Sequence, residues 1–178
     1  TLYIGGSQLF RSRNEGQSFE KISPVLARAD RRTMGPSGGP ITKDQTGVET
    51  YATIFTVAES PVQRNLIWAG TDDGLVHLTR DGGGTWTNVT PRGLGDFTRV
   101  SMIDASTHEA CTAYLAANRY QLNDFTPSLW RTRDCGASWT RIDTGIPRDE
   151  FTRVLRADPA RPGLLYAGTE RGVWVSFD

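Results

Sequence analysis

One motif recurs along this chain, and its spacing limits the fold more than any other feature. SRNEGQSF (Ser12–Phe19), TRDGGGTW (Thr79–Trp86) and TRDCGASW (Thr132–Trp139) align without gaps. Each begins with Ser or Thr, places Asn or Asp two residues later and Gly two later again, and ends on Ser/Thr and an aromatic. A fourth copy opens at Ser176-Phe177-Asp178. The capping position falls at Asn14, Asp81, Asp134 and Asp178, in steps of 67, 53 and 44 residues. The flanks repeat too: TLYIGG, LIWAGT, TAYLAA and LLYAGT align on Tyr3, Trp68, Tyr114 and Tyr166. Phe97-Thr98-Arg99-Val100 returns word for word as Phe151-Thr152-Arg153-Val154. Self-similarity at such a period marks a repeat architecture, in which each unit buries its apolar surface against its neighbours.

Each unit reads as strands. Leu75–Arg80 and Leu129–Arg133 are short, apolar or β-branched, and bounded by Gly or Asx turns. Asp81 and Asp134 can accept backbone N–H bonds across a tight reversal, and Gly83 and Gly136 can take positive φ. Trp86 and Trp139 then re-enter the sheet as bulky packing residues. Asn14 caps in the same way, with Gly16 and Phe19 filling the glycine and aromatic positions. With strands lettered A to D from the inside out, blade two spans A Thr53–Ala58, B Leu66–Gly70, C Leu75–Arg80 and D Trp86–Val89. Blade three spans A Thr98–Asp104, B Thr112–Ala117, C Leu129–Arg133 and D Trp139–Ile142. Blade four has A Thr152–Ala157, B Leu165–Gly168 and C Val173–Phe177; blade one has B, C and D. The fold class is therefore all-β: a β-propeller segment of about three and a half four-stranded blades. The divisions are 1–23 for blade one, 24–50 for a long insert, 51–90 for blade two, 91–143 for blade three and 144–178 for blade four. Propellers close with four to eight blades. The chain is accordingly expected to be part of a longer protein, or to meet a complementary fragment, because open edges invite association.

These motifs resemble the Asp-box (BNR) repeat family, which includes sialidases, sortilin-type Vps10 propellers and xyloglucan-cleaving endoglucanases. The runs GGPITKD, IWAGTDDGLVHLTRDGG, AANRYQLNDF and LYAGTERGVWVSFD resemble above all large bacterial sortilin-like proteins often labelled glycosyl hydrolase. The resemblance implies that Ser12, Asn14, Gly16, Phe19, Thr79, Asp81, Gly83, Trp86, Thr132, Asp134, Gly136 and Trp139 form structural turns, and that the chain works outside the cytoplasm. It leaves function open, because sites are grafted onto folds.

Antiparallel blades put the D-to-A and B-to-C connections on one face of the disc and the boxes on the other. Two inserts fall on the first face: Pro24–Thr50 and Asn118–Pro127, the latter read as a long loop. With the turns Thr71–Gly74 and Thr169–Gly172 they gather Lys43, Asp44, Asp72, Asp73, Arg119, Tyr120, Asp124, Glu170 and Arg171 on one rim. Such residues suit peptide or sugar recognition. Asp72, Asp73, Asp124 and Glu170 are also the candidates for a glycosidase acid–base pair. The plainer reading makes Asp72-Asp73-Gly74 a hairpin turn, Glu170 and Arg171 a solvated pair, and Tyr120 and Phe125 packing for their insert. Arg99 and Arg153 read as equivalent positions near the start of adjacent inner strands. They form either a cationic pair at the channel mouth, able to hold a carboxylate, or inter-blade ion pairs with Asp96, Glu150 or Asp104. The stretch Gly35–Pro40 lacks the pattern of a phosphate loop.

Cys111 precedes strand B and Cys135 follows strand C, ends that meet in a hairpin, so a disulfide is geometrically possible and agrees with an extracytoplasmic home. The pattern has no CxxC pair, and His77 and His108 stand apart, which argues against a zinc site; no cofactor is expected. Twenty basic residues balance twenty acidic ones, so the excess that marks nucleic-acid binders is lacking, and no apolar run is long enough to span a bilayer. The sequence is read as a binding or scaffold propeller for a protein, peptide or glycan. A glycoside hydrolase is the alternative, and an assembly factor gripping a partner through the disc rim a third reading.

Overall fold

The computed structural model describes residues 1–35 and 51–177. These form four antiparallel sheets in chain order. The first holds β1 (Leu2–Gly5), β2 (Leu9–Ser12) and β3 (Glu20–Lys21). The second holds β4 (Ile54–Glu59), β5 (Ile67–Thr71), β6 (Val76–Thr79) and β7 (Thr87–Asn88). The third holds β8 (Arg99–Ala105), β9 (Ala113–Arg119), β10 (Asp124–Thr132) and β11 (Thr140–Arg141). The fourth holds β12 (Thr152–Ala157), β13 (Leu165–Thr169) and β14 (Val173–Ser176). Each is a simple meander, and β4, β8 and β12 adjoin as inner strands of successive blades. Among the described residues there is no α-helix, only two 3-10 turns, Arg31–Thr33 and Tyr120–Leu122.

The reversals between the third and fourth strands repeat almost atom for atom. In blade two the Thr79 hydroxyl donates to Asp81 Oδ1 (2.7 Å), and Gly83 N–H donates to Thr79 Oγ1 (2.9 Å). Thr85 gives Asp81 both its N–H (3.0 Å) and its hydroxyl (2.8 Å). Thr132, Asp134, Gly136 and Ser138 make the same four bonds in blade three. In blade one Asn14 Oδ1 takes the Ser12 hydroxyl and Ser18 N–H, while its Nδ2 donates to Ser18 Oγ. Bonds from Thr85, then from the Thr79 hydroxyl, hold the Asp81 carboxyl well below the usual carboxylate range, and those from Ser138 and Thr132 lower Asp134 likewise.

The core lies between sheets. Leu66, Trp68 and Val76 of blade two pack against Val100, Ile103 and Leu115 of blade three, and Trp139 meets Trp68 edge-on at 6.0 Å. Smaller clusters join blades one and two, and three and four. Each box aromatic of blades two and three reaches back one blade. Trp86 Nε1 donates to Ile22 O (2.8 Å), and Trp139 Nε1 to Val89 O (2.7 Å). The box glycines sit at the same contacts: a Cβ on Gly83 would lie 2.5 Å from Ile22 O, and one on Gly136 2.6 Å from Val89 Cβ. Glycine is needed there for close approach as well as for φ. Inner strands are stitched by Ile103 N–H to Thr56 Oγ1 (3.1 Å), the Ser101 hydroxyl to Arg153 O (2.7 Å) and Arg156 Nη1 to Asp104 Oδ1 (2.6 Å). Cys111 and Cys135 form a disulfide, Cα to Cα 4.2 Å, tying the first hairpin turn of blade three to its box.

Two readings of the sequence change. The insert Asn118–Pro127 is not a loose loop: β9 runs on to Arg119, the chain turns through Tyr120–Leu122 and Asn123 (φ 60°), and β10 starts at Asp124. Local polar composition hid strands whose pairing is supplied by each other. Arg99 and Arg153 are also not equivalent. Each inner strand carries a one-residue bulge, at Phe55, Ser101 and Arg153. Val100 pairs with Ala117 just before its bulge, as Thr152 pairs with Thr169. The FTRV words are therefore two residues out of step with the strand register, because backbone pairing, not side-chain identity, sets the bulge.

Two predictions follow from these turns. Gly93 has positive φ (88°) with open space where a Cβ would sit, so Gly93→Ala should cost about 1–2 kcal/mol, the conformational term alone. Gly83→Ala adds a clash with the neighbouring blade and should cost at least about 2 kcal/mol more by urea denaturation. Equal costs would show that the blade contact contributes nothing. Because the folded Asp81 and Asp134 carboxyls are depressed, their stabilisation is present above the unfolded value and is lost as pH falls below about 4. Urea midpoints between pH 6 and 2.5 should fall in the native chain and fall less in Asp81→Asn/Asp134→Asn, which copies Asn14.

Candidate functional site

The two ends of the blades differ in chemistry. At one end Gly82 N–H donates to Asn65 O (2.9 Å), so boxes and first hairpin turns lie together with the disulfide. At the other lie the second hairpin turns and the inter-blade connections, joined by Phe97 N–H to Asp73 O (3.1 Å) and by Arg171 to Asp149 (2.9 Å).

The candidate carboxylates on this second face are already engaged. Asp73 is fully buried. It accepts the Thr71 hydroxyl (2.6 Å) and Arg28 N–H (2.8 Å), with Ala29 N–H at 3.4 Å, and so anchors the connection from blade one. Arg28 returns the contact through Nε to Asp73 O and reaches Asp96 at 2.6 Å. Asp72 is buried and accepts Thr53 N–H (2.9 Å); burial raises its pKa. Asp124 accepts Thr126 N–H (3.1 Å), with Arg119 4.0 Å away. Glu150, also buried, takes the Thr169 hydroxyl and the Trp174 indole N–H. Glu170 and Arg171 do not pair with each other: Glu170 holds Arg153, and Arg171 holds Asp149. The expected partners of the two inner-strand arginines are likewise taken, Asp96 by Arg28 and Asp104 by Arg156. Lys43, Asp44 and the Pro36–Pro40 stretch lie outside the described residues.

Arg99 and Arg153 nevertheless converge. Their guanidinium carbons lie 5.8 and 5.2 Å from the centre of the Tyr120 ring. Arg99 donates to Tyr120 Oη (3.3 Å) and Gln121 Oε1 (2.8 Å), and lies 4.9 Å over the Phe55 ring. Arg153 lies 5.0 Å over Phe151, which stacks on Tyr120 at 4.8 Å and meets Phe125 at 6.0 Å. Three blades thus share one row of alternating cations and aromatics. Each cation–π contact is worth roughly 0.5–2 kcal/mol, depending on exposure. Phe55 and Phe125 remain exposed. The Nε atoms of Arg99 and Arg119 are buried, and among the described residues neither has a hydrogen-bond partner. Sequence reasoning missed Phe55, Phe151 and Gln121; only Phe151 carried a signal, in the repeated FTRV. Among the described residues no cluster suits a metal, and no helix is long and apolar enough to cross a membrane.

The sheets, their order and their meander connections define a β-propeller. No family model and no curated protein sequence matches the chain. In three dimensions it is similar to an ancestral GH74 enzyme, with a TM-score of 0.62 and 16% identity over 96% of this chain and 20% of that one. It is similar to the GH74 xyloglucanase from Xanthomonas campestris, with 0.61 and 14% over 99% and 27%. It is also similar to YCF48 bound to D1 peptide, with 0.52 and 21% over 70% and 38%. At these identities the likeness is one of fold, and the chain spans well under half the length of each.

Asp73 acts here as a strut. Asp73→Ala would leave two backbone N–H groups and a hydroxyl without their acceptor, and should cost about 3 kcal/mol by urea denaturation. Faster hydrogen exchange at Arg28 and Ala29 should accompany it. An unchanged midpoint would show that the carboxylate is free for other work.

Proposed function

We propose that this chain is part of an Asp-box propeller of the binding type, holding a protein, peptide or glycan at the face of the second hairpin turns without cleaving it. The observation that carries the reading is the convergence of Arg99 and Arg153 on Tyr120. Two guanidiniums from adjacent blades, flanked by exposed aromatic rings, suit a ligand that presents carboxylates along an extended chain. The carboxylates beside them hold backbone or arginine, which is the work of scaffolding rather than of an acid–base pair. The fold shared with YCF48 bound to D1 peptide supports a peptide ligand, and the fold shared with GH74 enzymes a glycan. The shared hydrogen bonding of the three boxes supports the Asp-box assignment, and the Cys111–Cys135 disulfide supports an extracytoplasmic location.

The test is fluorescence anisotropy with an acidic peptide, its amidated counterpart, a uronate oligosaccharide and a neutral one. The charged member of each pair should bind more tightly, and less so as salt rises. Arg99→Ala and Arg153→Ala should each weaken it about tenfold, measured below a melting temperature that falls only modestly with the lost cation–π contacts. Indifference to both substitutions overturns the reading.

One observation favours a hydrolase. Burial raises the Asp72 pKa, as a general acid requires. Asp72→Asn keeps the acceptor for Thr53 N–H, whereas any change at Asp73 disturbs the fold. Turnover of xyloglucan or a sialoside that Asp72→Asn abolishes, at unchanged stability, would replace the binding reading.

A further inference from the structure

The two arginines of the row are not equally free. Arg99 donates to neutral acceptors, Tyr120 Oη (3.3 Å) and Gln121 Oε1 (2.8 Å), and among the described residues no carboxylate pairs with it. Arg153 is paired through Nε with Glu170. Glu170 stands in the turn Thr169–Gly172, the counterpart of Thr71–Gly74: Thr169 faces Thr152 as Thr71 faces Ile54, just before each bulge. The acids of the blade-two turn hold it in place. Asp72 accepts Thr53 N–H (2.9 Å), and Asp73 the Thr71 hydroxyl (2.6 Å). In blade four the Thr169 hydroxyl turns to Glu150. The turn closes through Thr169 N–H to Gly172 O (2.9 Å) and Gly172 N–H to Thr169 Oγ1 (3.2 Å). The Glu170 carboxylate is left out of its own turn, and its one partner among the described residues is Arg153. A methylene longer than Asp72, it reaches the arginine row instead. Its side chain is 42% exposed and that of Arg153 49%, and an ion pair so exposed is held weakly.

We propose that Glu170 is a specificity-determining residue of this face: its carboxylate competes with a ligand's second carboxylate for Arg153. The inference rests on the binding reading of the arginine row and says how that row sorts acidic ligands by their number of carboxylates. The first carboxylate meets Arg99 with no acid opposing it. The second must displace Glu170, exchanging one carboxylate for another, or lie beside it as a like charge. Two like charges about 4 Å apart cost about fivefold in affinity even at the dielectric of water. Glu170 therefore narrows the advantage of a ligand with two carboxylates over a ligand with one. The residue is free to do this because Asp72, Asp73 and Glu150 carry the structural work of the neighbouring turns. Glutamine in its place keeps the size of the side chain and an acceptor for Arg153 Nε while removing the competing charge.

The probes are short Gly/Ser peptides with blocked ends and an uncharged dye, titrated with the whole chain at low salt and read by anisotropy. One carries two glutamates a residue apart, one a single glutamate, and one two glutamines. The guanidinium carbons of Arg99 and Arg153 both lie within 5.8 Å of the Tyr120 ring centre, a separation that side chains two positions apart on an extended strand can reach. The readout is the preference for the diacid over the monoacid, in which general charge effects on both peptides cancel. Glu170→Gln should raise that preference about fivefold at unchanged melting temperature. Loss of a merely structural contact would weaken binding instead. In Glu170→Gln/Arg153→Ala the second carboxylate has no seat, and the two acidic peptides should bind alike. A preference that stays level or falls in Glu170→Gln, or one that still rises in the double variant, overturns the inference and leaves the binding reading standing. A native chain that binds the glutamine peptide as tightly as the acidic ones overturns both.

Discussion

The bond from a box tryptophan to a carbonyl one blade back is the interaction on which the rest of this structure depends. A single meander of four short strands has apolar side chains on both faces and cannot bury them alone. Here the buried clusters lie between sheets, so each blade is stable only against its neighbours. The glycine-and-indole contact at Ile22 and at Val89 fixes how closely and at what angle successive sheets approach. The box therefore does two jobs: its acid closes the reversal, and its glycine and tryptophan seat the blade.

That arrangement separates the two ends of the blades. At the box end the geometry is repeated and stiff, with a disulfide added in blade three. At the opposite end the connections differ from blade to blade, and those leading into blades two and four are tied down by buried carboxylates. Asp73 receives backbone from blade one, while Glu150 joins its own connection to Thr169 and Trp174. Buried acids that hold backbone N–H groups are costly to remove and poorly placed to exchange protons with a substrate. Their presence explains why a rim rich in aspartate need not be a catalytic rim.

The strands and reversals were legible in the sequence because the information is local: Thr-x-Asp-x-Gly-x-Ser/Thr-Trp specifies a cap, a turn and an anchor within eight residues. The site was legible only in part. Arg99 and Arg153 were read as a pair and Tyr120 separately as a rim residue, and the equivalence drawn between the two arginines was wrong. Identical words cannot reveal which residue the strand pairing will extrude as a bulge. Asp73 and Asp72 looked like rim residues because their burial comes from the distant Arg28 and Thr53 segments, which a turn motif does not encode. The hairpin at Asn118–Pro127 read as a loop for the same reason, since its polar strands satisfy each other rather than the core. Phe55 carried no signal, and its place at the site comes from Arg99 lying over it.

The bulges give the fold a way to vary the side chains at the face of the second hairpin turns without disturbing its core. Phe55, Ser101 and Arg153 occupy one structural position in three blades, with the extra residue left out of the ladder each time. A residue so placed is released from the alternation that forces its neighbours inward, so its identity is not fixed by packing. Phenylalanine there offers an exposed ring, arginine a cation, and serine bridges Ala116 O and Arg153 O. Substitution at one position per blade changes the chemistry presented at the mouth, while the residues on either side stay paired across the sheet. The chemistry at this face can thus differ among propellers whose turns remain alike.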